Sequence, residues 1–130
     1  MAIVLFSNSS AEEVKLIPCA SVEGYISCNL IIRHNPFRVE TITDFPITAL
    51  KRSVEELKEM HLFSRSQVSL LSTDLDFAIE MVMDMQTGHI EASVSLLAGS
   101  RGSLVFSFDF NQADLPVIYK SIEATISEYC

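Results

Sequence analysis

The chain has 130 residues, of which 48% are hydrophobic and 20% charged, and its formal net charge is −8. This composition is typical of one globular domain and excludes the low-hydrophobicity class of disordered chains, so we expect a single domain over residues 1–130. The acidic balance leaves little cationic surface for phosphates, so neither nucleic acid nor an anionic membrane is an expected partner. Such a charge steers a basic partner towards the protein, although it also serves solubility alone.

The three cysteines, Cys19, Cys28 and Cys130, have no C-x-x-C spacing and no paired histidines nearby. This pattern argues against a disulfide framework and a structural zinc site, and we expect neither a metal nor a cofactor. The opening segment "MAIVLFSNSS" lacks the basic start and the cleavage pattern of a signal peptide. No apolar run approaches the roughly 20 residues that a membrane span needs, so a cytoplasmic location is the simplest prediction.

In chain order, the first half predicts strands and then a helix. A short apolar run over residues 3–6 is followed by a predicted strand from Val14 to Ala20, a second one in "YISCNLIIRH" and a third from Phe37 to Thr43. From residue 44 the apolar side chains fall three and four positions apart, which predicts an amphipathic helix. We expect Asp44 or Thr48 to cap this helix and Pro46 to lie in its first turn. Its predicted apolar stripe consists of Ile47, Leu50, Val54, Leu57 and either Met60 or His61.

The second half alternates apolar and polar residues in three segments, each of which predicts a strand with one buried face. The three apolar faces are Leu75, Phe77, Ile79, Met81, Met83 and Met85; Ile90, Ala92, Val94 and Leu96; and Leu104, Phe106, Phe108 and Phe110. The closing segment "ADLPVIYKSIEATISEY" predicts an amphipathic helix with Asp114 as its cap and Pro116 in its first turn. Its apolar stripe is Leu115, Ile118, Tyr119, Ile122, Ile126 and Tyr129.

These elements predict an α+β fold. A largely antiparallel sheet of about six to seven strands carries one mid-chain helix and one C-terminal amphipathic helix packed on it, because the connections between neighbouring strands are too short for parallel crossovers.

The strand register follows from matching apolar residues across the loops. A hairpin centred on Thr87 and Gly88 pairs Met85 with Ile90, and the same test across "AGSRGS" pairs Ile90 with Phe110. Because side chains alternate between the two faces of a sheet, the opposite face is then fixed by the same register.

That register places Asp84, Glu91 and Asp109 in one row across three strands, with Glu80 on the same face and His89 at its border. Three interpretations are open: solvated carboxylates or a register displaced by two residues, a docking patch for a cationic protein surface, and a metal or hydrolytic site. A flat exposed face excludes little water, which disfavours the third. His34, His61 and His89 lie on different predicted elements without ligand spacing.

No catalytic signature occurs in the chain. No serine stands in G-x-S-x-G or S-x-x-K, and "GSRGS" leads from strand to strand rather than into the helix N-terminus that a phosphate loop requires. The sequence therefore offers no candidate nucleophile.

The C-terminal half, with "GHIEASVSLL" followed by "GSLVFSFDFNQADLPVIYKSIEATISEY", resembles the WapI-like family of bacterial immunity proteins. In that family a strand of alternating phenylalanines runs through D-Q-x-x-L-P into a final amphipathic helix. Asp109, Gln112, Leu115 and Pro116 match this pattern in residue type, with wider spacing in "DFNQADLP".

The resemblance implies that the protein is not an enzyme. It implies a small cytoplasmic protein, a monomer or weak dimer, that binds and neutralises a cognate toxin domain, often a basic one. The alternative is an acidic adaptor, similar to a secretion chaperone, that binds an effector protein. Such chaperones usually open with a helix, whereas this chain is predicted to open with strands.

Overall fold

The computed structural model describes residues 3–8, 12–74, 76–97 and 102–129. In these ranges the chain forms four strands and a helix, and then four strands and a helix again. The first set is β1 (Ile3–Asn8), β2 (Glu12–Val22), β3 (Tyr25–His34), β4 (Phe37–Pro46) and α1 (Ile47–His61). The second set is β5 (Gln67–Leu71), β6 (Phe77–Met83), β7 (His89–Leu97), β8 (Ser103–Asn111), a 3₁₀ turn (Gln112–Asp114) and α2 (Leu115–Tyr129).

The strands form two antiparallel sheets of four, in the orders β1-β2-β3-β4 and β5-β6-β7-β8. The predicted α+β class, with a mid-chain and a C-terminal helix, is confirmed. About six to seven strands were expected, and the described residues contain eight. The strand that sequence reasoning missed is β5, whose five residues "QVSLL" alternate too briefly to give a periodic signal.

Both sheets and both helices contribute to one continuous cluster of buried apolar side chains. Helix α1 contacts α2 and β5, while α2 contacts β1 and β2, so each helix packs on the sheet of the other half. Phe45 in β4 and Phe77 in β6, both fully buried, meet edge to face with ring centroids 6.1 Å apart. The two halves are therefore joined through a shared core.

Helix α1 begins at Ile47, later than predicted, and neither Asp44 nor Thr48 caps it. Pro46 occupies the cap position in an extended conformation, and no side chain bonds the first turn. The proline restricts Phe45 before it to extended backbone, so β4 continues through the predicted cap. Asp44 accepts a hydrogen bond from the Ser27 hydroxyl of β3 instead. The predicted stripe is confirmed, with Met60 rather than His61 buried at its end.

Asp114 is not the cap of α2, because the chain makes a 3₁₀ turn before the helix. The cap of that turn is Asn111, whose backbone N–H donates to Asp114 Oδ2 at 3.0 Å. Pro116 lies in the first turn of α2, as expected. The predicted stripe of α2 is buried at Leu115, Ile118 and Ile122 and half-buried at Tyr119, Ile126 and Tyr129.

Gln112 connects three elements at this junction. Its side-chain Nε2 donates to the His61 carbonyl at the end of α1 at 2.6 Å, and its backbone N–H donates to the Gly88 carbonyl in the β6–β7 hairpin at 2.8 Å. Gly88 has φ +77°, and the space beside its Cα is bounded by Phe63 and by Gln112 itself. The glutamine of "NQADLP" thus satisfies a terminal carbonyl of one helix while positioning the start of the other.

Candidate protein-binding face

The outward side of the second sheet carries the predicted site, and we call the outward side chains of β5–β8 the acidic face. The β7–β8 register is as predicted, with Glu91 opposite Asp109. The β6–β7 register differs from the prediction by two residues, because Val82 stands opposite Glu91 and Glu80 stands opposite Ser93. The row that crosses the sheet is therefore Gln67, Val82, Glu91 and Asp109.

The predicted row of three carboxylates is wrong at Asp84, which lies beyond the end of β6 in the hairpin. Its backbone N–H donates to the His89 carbonyl and its carbonyl accepts from Gly88 N–H, both at 2.8 Å, so Asp84 closes the turn. Its Oδ1 accepts the Gln86 N–H at 2.9 Å. Met85, which we expected in the core, is 41% exposed in this turn. Leu75, the first apolar residue of the same predicted strand, lies outside the described residues.

The remaining carboxylates of the face have few partners. Glu80 accepts from Gln67 Nε2 at 3.1 Å, and His89 Nε2 lies 3.4 Å from Asp109 Oδ1. The carboxylate of Glu91 has no hydrogen-bond or ion-pair partner among the residues that the structure describes. Within the described residues of β5–β8 there is neither a lysine nor an arginine. The negative charge of the face is thus uncompensated by any fixed cation of its own strands.

Small side chains along the middle of the face leave a shallow trough. A depression of about 440 Å³ is lined by Glu80, Val82, Met83, Asp84, His89, Glu91 and Ser93. A second one of about 400 Å³ continues from it and is lined by Ser69, Leu71, Ala78, Glu80, Ser93, Val94, Ser95 and Val105. Sequence reasoning missed the apolar members Leu71, Val82 and Val105, although their positions on the polar side of alternating strands were a usable signal.

This arrangement offers charge and hydrogen-bond acceptors to a partner. Among the described residues, no three His, Cys, Asp or Glu side chains gather in a group able to hold a metal ion. Of the other predicted candidates, His34 contacts Glu12 at 3.1 Å and His61 lies beside Tyr119 in the helix layer. Burial raises the pKa of the Cys28 thiol to about 12, so it stays protonated at neutral pH and is not an activated nucleophile.

Neither helix of the described chain is sufficiently long and apolar to cross a membrane.

Comparison with protein-family models finds no match for this chain, and comparison with curated proteins finds none either. Among solved structures the chain is similar to the Trypanosoma bruciei MRP1/MRP2 proteins, with 7% identity, a TM-score of 0.57 and coverage of 98% of this chain and 83% of that one. It is also similar to a guide-RNA-binding protein complex bound to a gRNA, with 7% identity, a TM-score of 0.56 and coverage of 98% and 88%. At this identity the likeness shows a shared fold.

Proposed function

We propose that the protein is a non-enzymatic immunity protein that binds a basic toxin domain through the acidic face. The observation that carries the proposal is the charge of β5–β8, where Glu80, Glu91 and Asp109 face outward without a lysine or arginine in the described strands. An uncompensated negative surface accelerates the encounter with a basic protein and orients it at the same time. Fast, oriented association is what an inhibitor of a toxin requires.

The resemblance to WapI-like immunity proteins supports the same proposal from the sequence. The matching residues Gln112, Leu115 and Pro116 act in the architecture of the junction and of α2, while Asp109 lies on the acidic face. The family pattern thus concerns mainly the fold, and the charge of the sheet concerns the partner. The proposal of a non-enzymatic, cytoplasmic antitoxin accounts for the family pattern and for the charge of the sheet.

One of the structurally similar proteins is in a complex with RNA, which makes RNA the macromolecule to compare with a basic protein. The electrostatics of this chain disfavour RNA, because phosphate binding depends on clustered cations. Several described cations of the sheets and helices are already paired with carboxylates, as in Lys15–Glu13 and Arg38–Glu40.

The test is rescue of growth. A toxin-like domain encoded by the reading frame beside this one is expressed in bacteria with and without the chain, and growth is measured. We expect the domain to arrest growth alone and the chain to restore it, with both proteins eluting as one complex.

The matched control is a chain in which Glu80, Glu91 and Asp109 are replaced by lysine, tested at equal expression. If the toxin-like domain still arrests growth in the presence of the unaltered chain, the proposal is contradicted. Retention of a random RNA by the unaltered chain at physiological salt would favour a nucleic-acid-binding function instead.

A further inference from the structure

The acidic face changes in character along β6 and β7. Its hairpin end carries Glu80, Glu91 and Asp109, while its far end is apolar or small. At the far end Leu71 is 39% exposed and Val105 is 69% exposed. The two depressions share Glu80 and Ser93, so the charged end and the apolar end belong to one trough. A partner that fits the whole trough needs cations at one end and apolar side chains at the other.

The trough lies over the inner strands of the sheet. This position restricts the backbone conformation that a bound segment can adopt. Strand β6 is paired with β5 and β7, and β7 is paired with β6 and β8. An extended segment laid on this face finds no unpaired strand edge, and its own N–H and C=O groups lose water without gaining partners. An α-helix satisfies its backbone internally and presents side chains alone.

We infer that the acidic face receives a basic amphipathic helix of the partner protein, an inference that rests on the proposed binding of a basic protein. Lysine or arginine side chains of the helix meet Glu80, Glu91 and Asp109, and apolar side chains of the same helix face cover Leu71 and Val105. The carboxylate of Glu91 gains the most from an ion pair with the helix, because it has no side-chain partner within the described chain.

The spacing of the helix follows from the sheet. Glu91 and Ser95 lie four positions apart on β7, which corresponds to about 13 Å along a strand. A helix rises about 1.5 Å per residue and turns once in about 3.6 residues, so side chains that are close to this distance apart and share one face lie about seven or eleven residues apart. The cations of the helix are therefore expected about seven to eleven residues from its apolar side chains.

A designed peptide pair tests this arrangement. The first peptide is a stabilised helix of about 18 residues with leucines near one end of a face and lysines about seven and eleven residues further along the same face. The second has the same composition in an order that leaves no common face. Each is titrated into isotope-labelled protein, and binding is followed through the backbone amide signals. We expect the first peptide to bind at least about tenfold more tightly and to shift amides at both ends of the trough.

Two matched variants test the contribution of the apolar end. Val105→Ser alters the apolar end of the face, and Ile42→Ser makes the same kind of change on the outer side of β4, where Ile42 is 66% exposed. We expect Val105→Ser to weaken the first peptide several-fold, and Ile42→Ser to leave its affinity unchanged.

Equal affinity of the two peptides, or shifted amides confined to the first sheet, would overturn the inference. Failure of the inference is distinguishable from failure of the proposed function, because the growth rescue uses the whole toxin domain. A chain that rescues growth but does not discriminate between the peptides is an immunity protein with a different contact.

Discussion

In each sheet the four strands pair in the order in which they occur in the chain, and each set of strands is followed in the chain by a helix. The outer faces of the two sheets nevertheless differ in charge. The first sheet carries cations and carboxylates together: Lys15 lies 3.6 Å from Glu13 and Arg38 lies 3.5 Å from Glu40. The outer face of the second sheet has carboxylates and one histidine, with no lysine or arginine in its described strands. One architecture thus supports a self-neutralised surface and an uncompensated one.

The difference indicates which surface is available to a partner. On the first sheet, a bound protein would have to displace ion pairs that the chain already makes. On the second sheet, Glu91 and Asp109 stand directly opposite each other. Like charges in this arrangement lower the stability of the sheet by a few tenths to about 1 kcal/mol. A partner cation placed between these two carboxylates removes that cost. The less stable arrangement is therefore the surface that we propose for the partner.

The core that the two sheets share is the most sensitive part of the molecule to substitution. Phe77→Ala removes a fully buried ring that packs on Phe45, and we expect it to cost about 3–5 kcal/mol. Because both sheets share one core, hydrogen exchange should accelerate in β3 as well as in β6. The control is Phe37→Ala in β4, where the ring is 61% exposed and the expected change is within about 0.5 kcal/mol. Protection retained in β3 alone would mean that the first sheet is stable independently.

The next effect tests the charge difference itself. Glu80, Glu91 and Asp109 are changed to lysine in one variant, and Glu13, Glu40 and Asp44 of the first sheet in a second variant with the same net charge. We expect the first variant to slow association with the toxin domain by about one to two orders of magnitude, and the second to have a much smaller effect.

Stopped-flow kinetics at several salt concentrations measures this difference. Equal slowing in the two variants would show that net charge alone steers the partner. Asp84 is left unchanged in both variants because its side chain serves the hairpin turn.

The sequence predicted the pairing of Glu91 with Asp109 but not the position of Asp84, for a physical reason. Displacing a strand by two residues keeps every side chain on its own face, and Met83 and Met85 are equally apolar, so hydrophobic matching cannot separate the two registers. The backbone bonds of the turn, which join Asp84 to Gly88 and His89, decide between them. Those bonds depend on loop conformation rather than on alternation.

The division into two sheets was also beyond the sequence pattern. Alternation identifies strands and their buried faces, as it did for β6, β7 and β8, but it does not say which strands pair across α1. The pairing depends on where α1 packs, and α1 contacts β5 and α2. The helix stripes at Leu50 and Ile118 were predictable because the 3.6-residue period is a local property of the chain.

Replacing one glutamate by glutamine should change stability only slightly, but with opposite signs on the two sheets. Glu91→Gln removes a charge opposite Asp109, and we expect a stabilisation of a few tenths of a kcal/mol at low salt. Glu40→Gln removes the ion pair with Arg38, and we expect a destabilisation of similar size. Urea unfolding at low and high salt measures both, and the two effects should shrink together as salt screens the charges. If both substitutions shift stability in the same direction, the acidic face is not electrostatically different from its counterpart, and its carboxylates are ordinary solvated side chains.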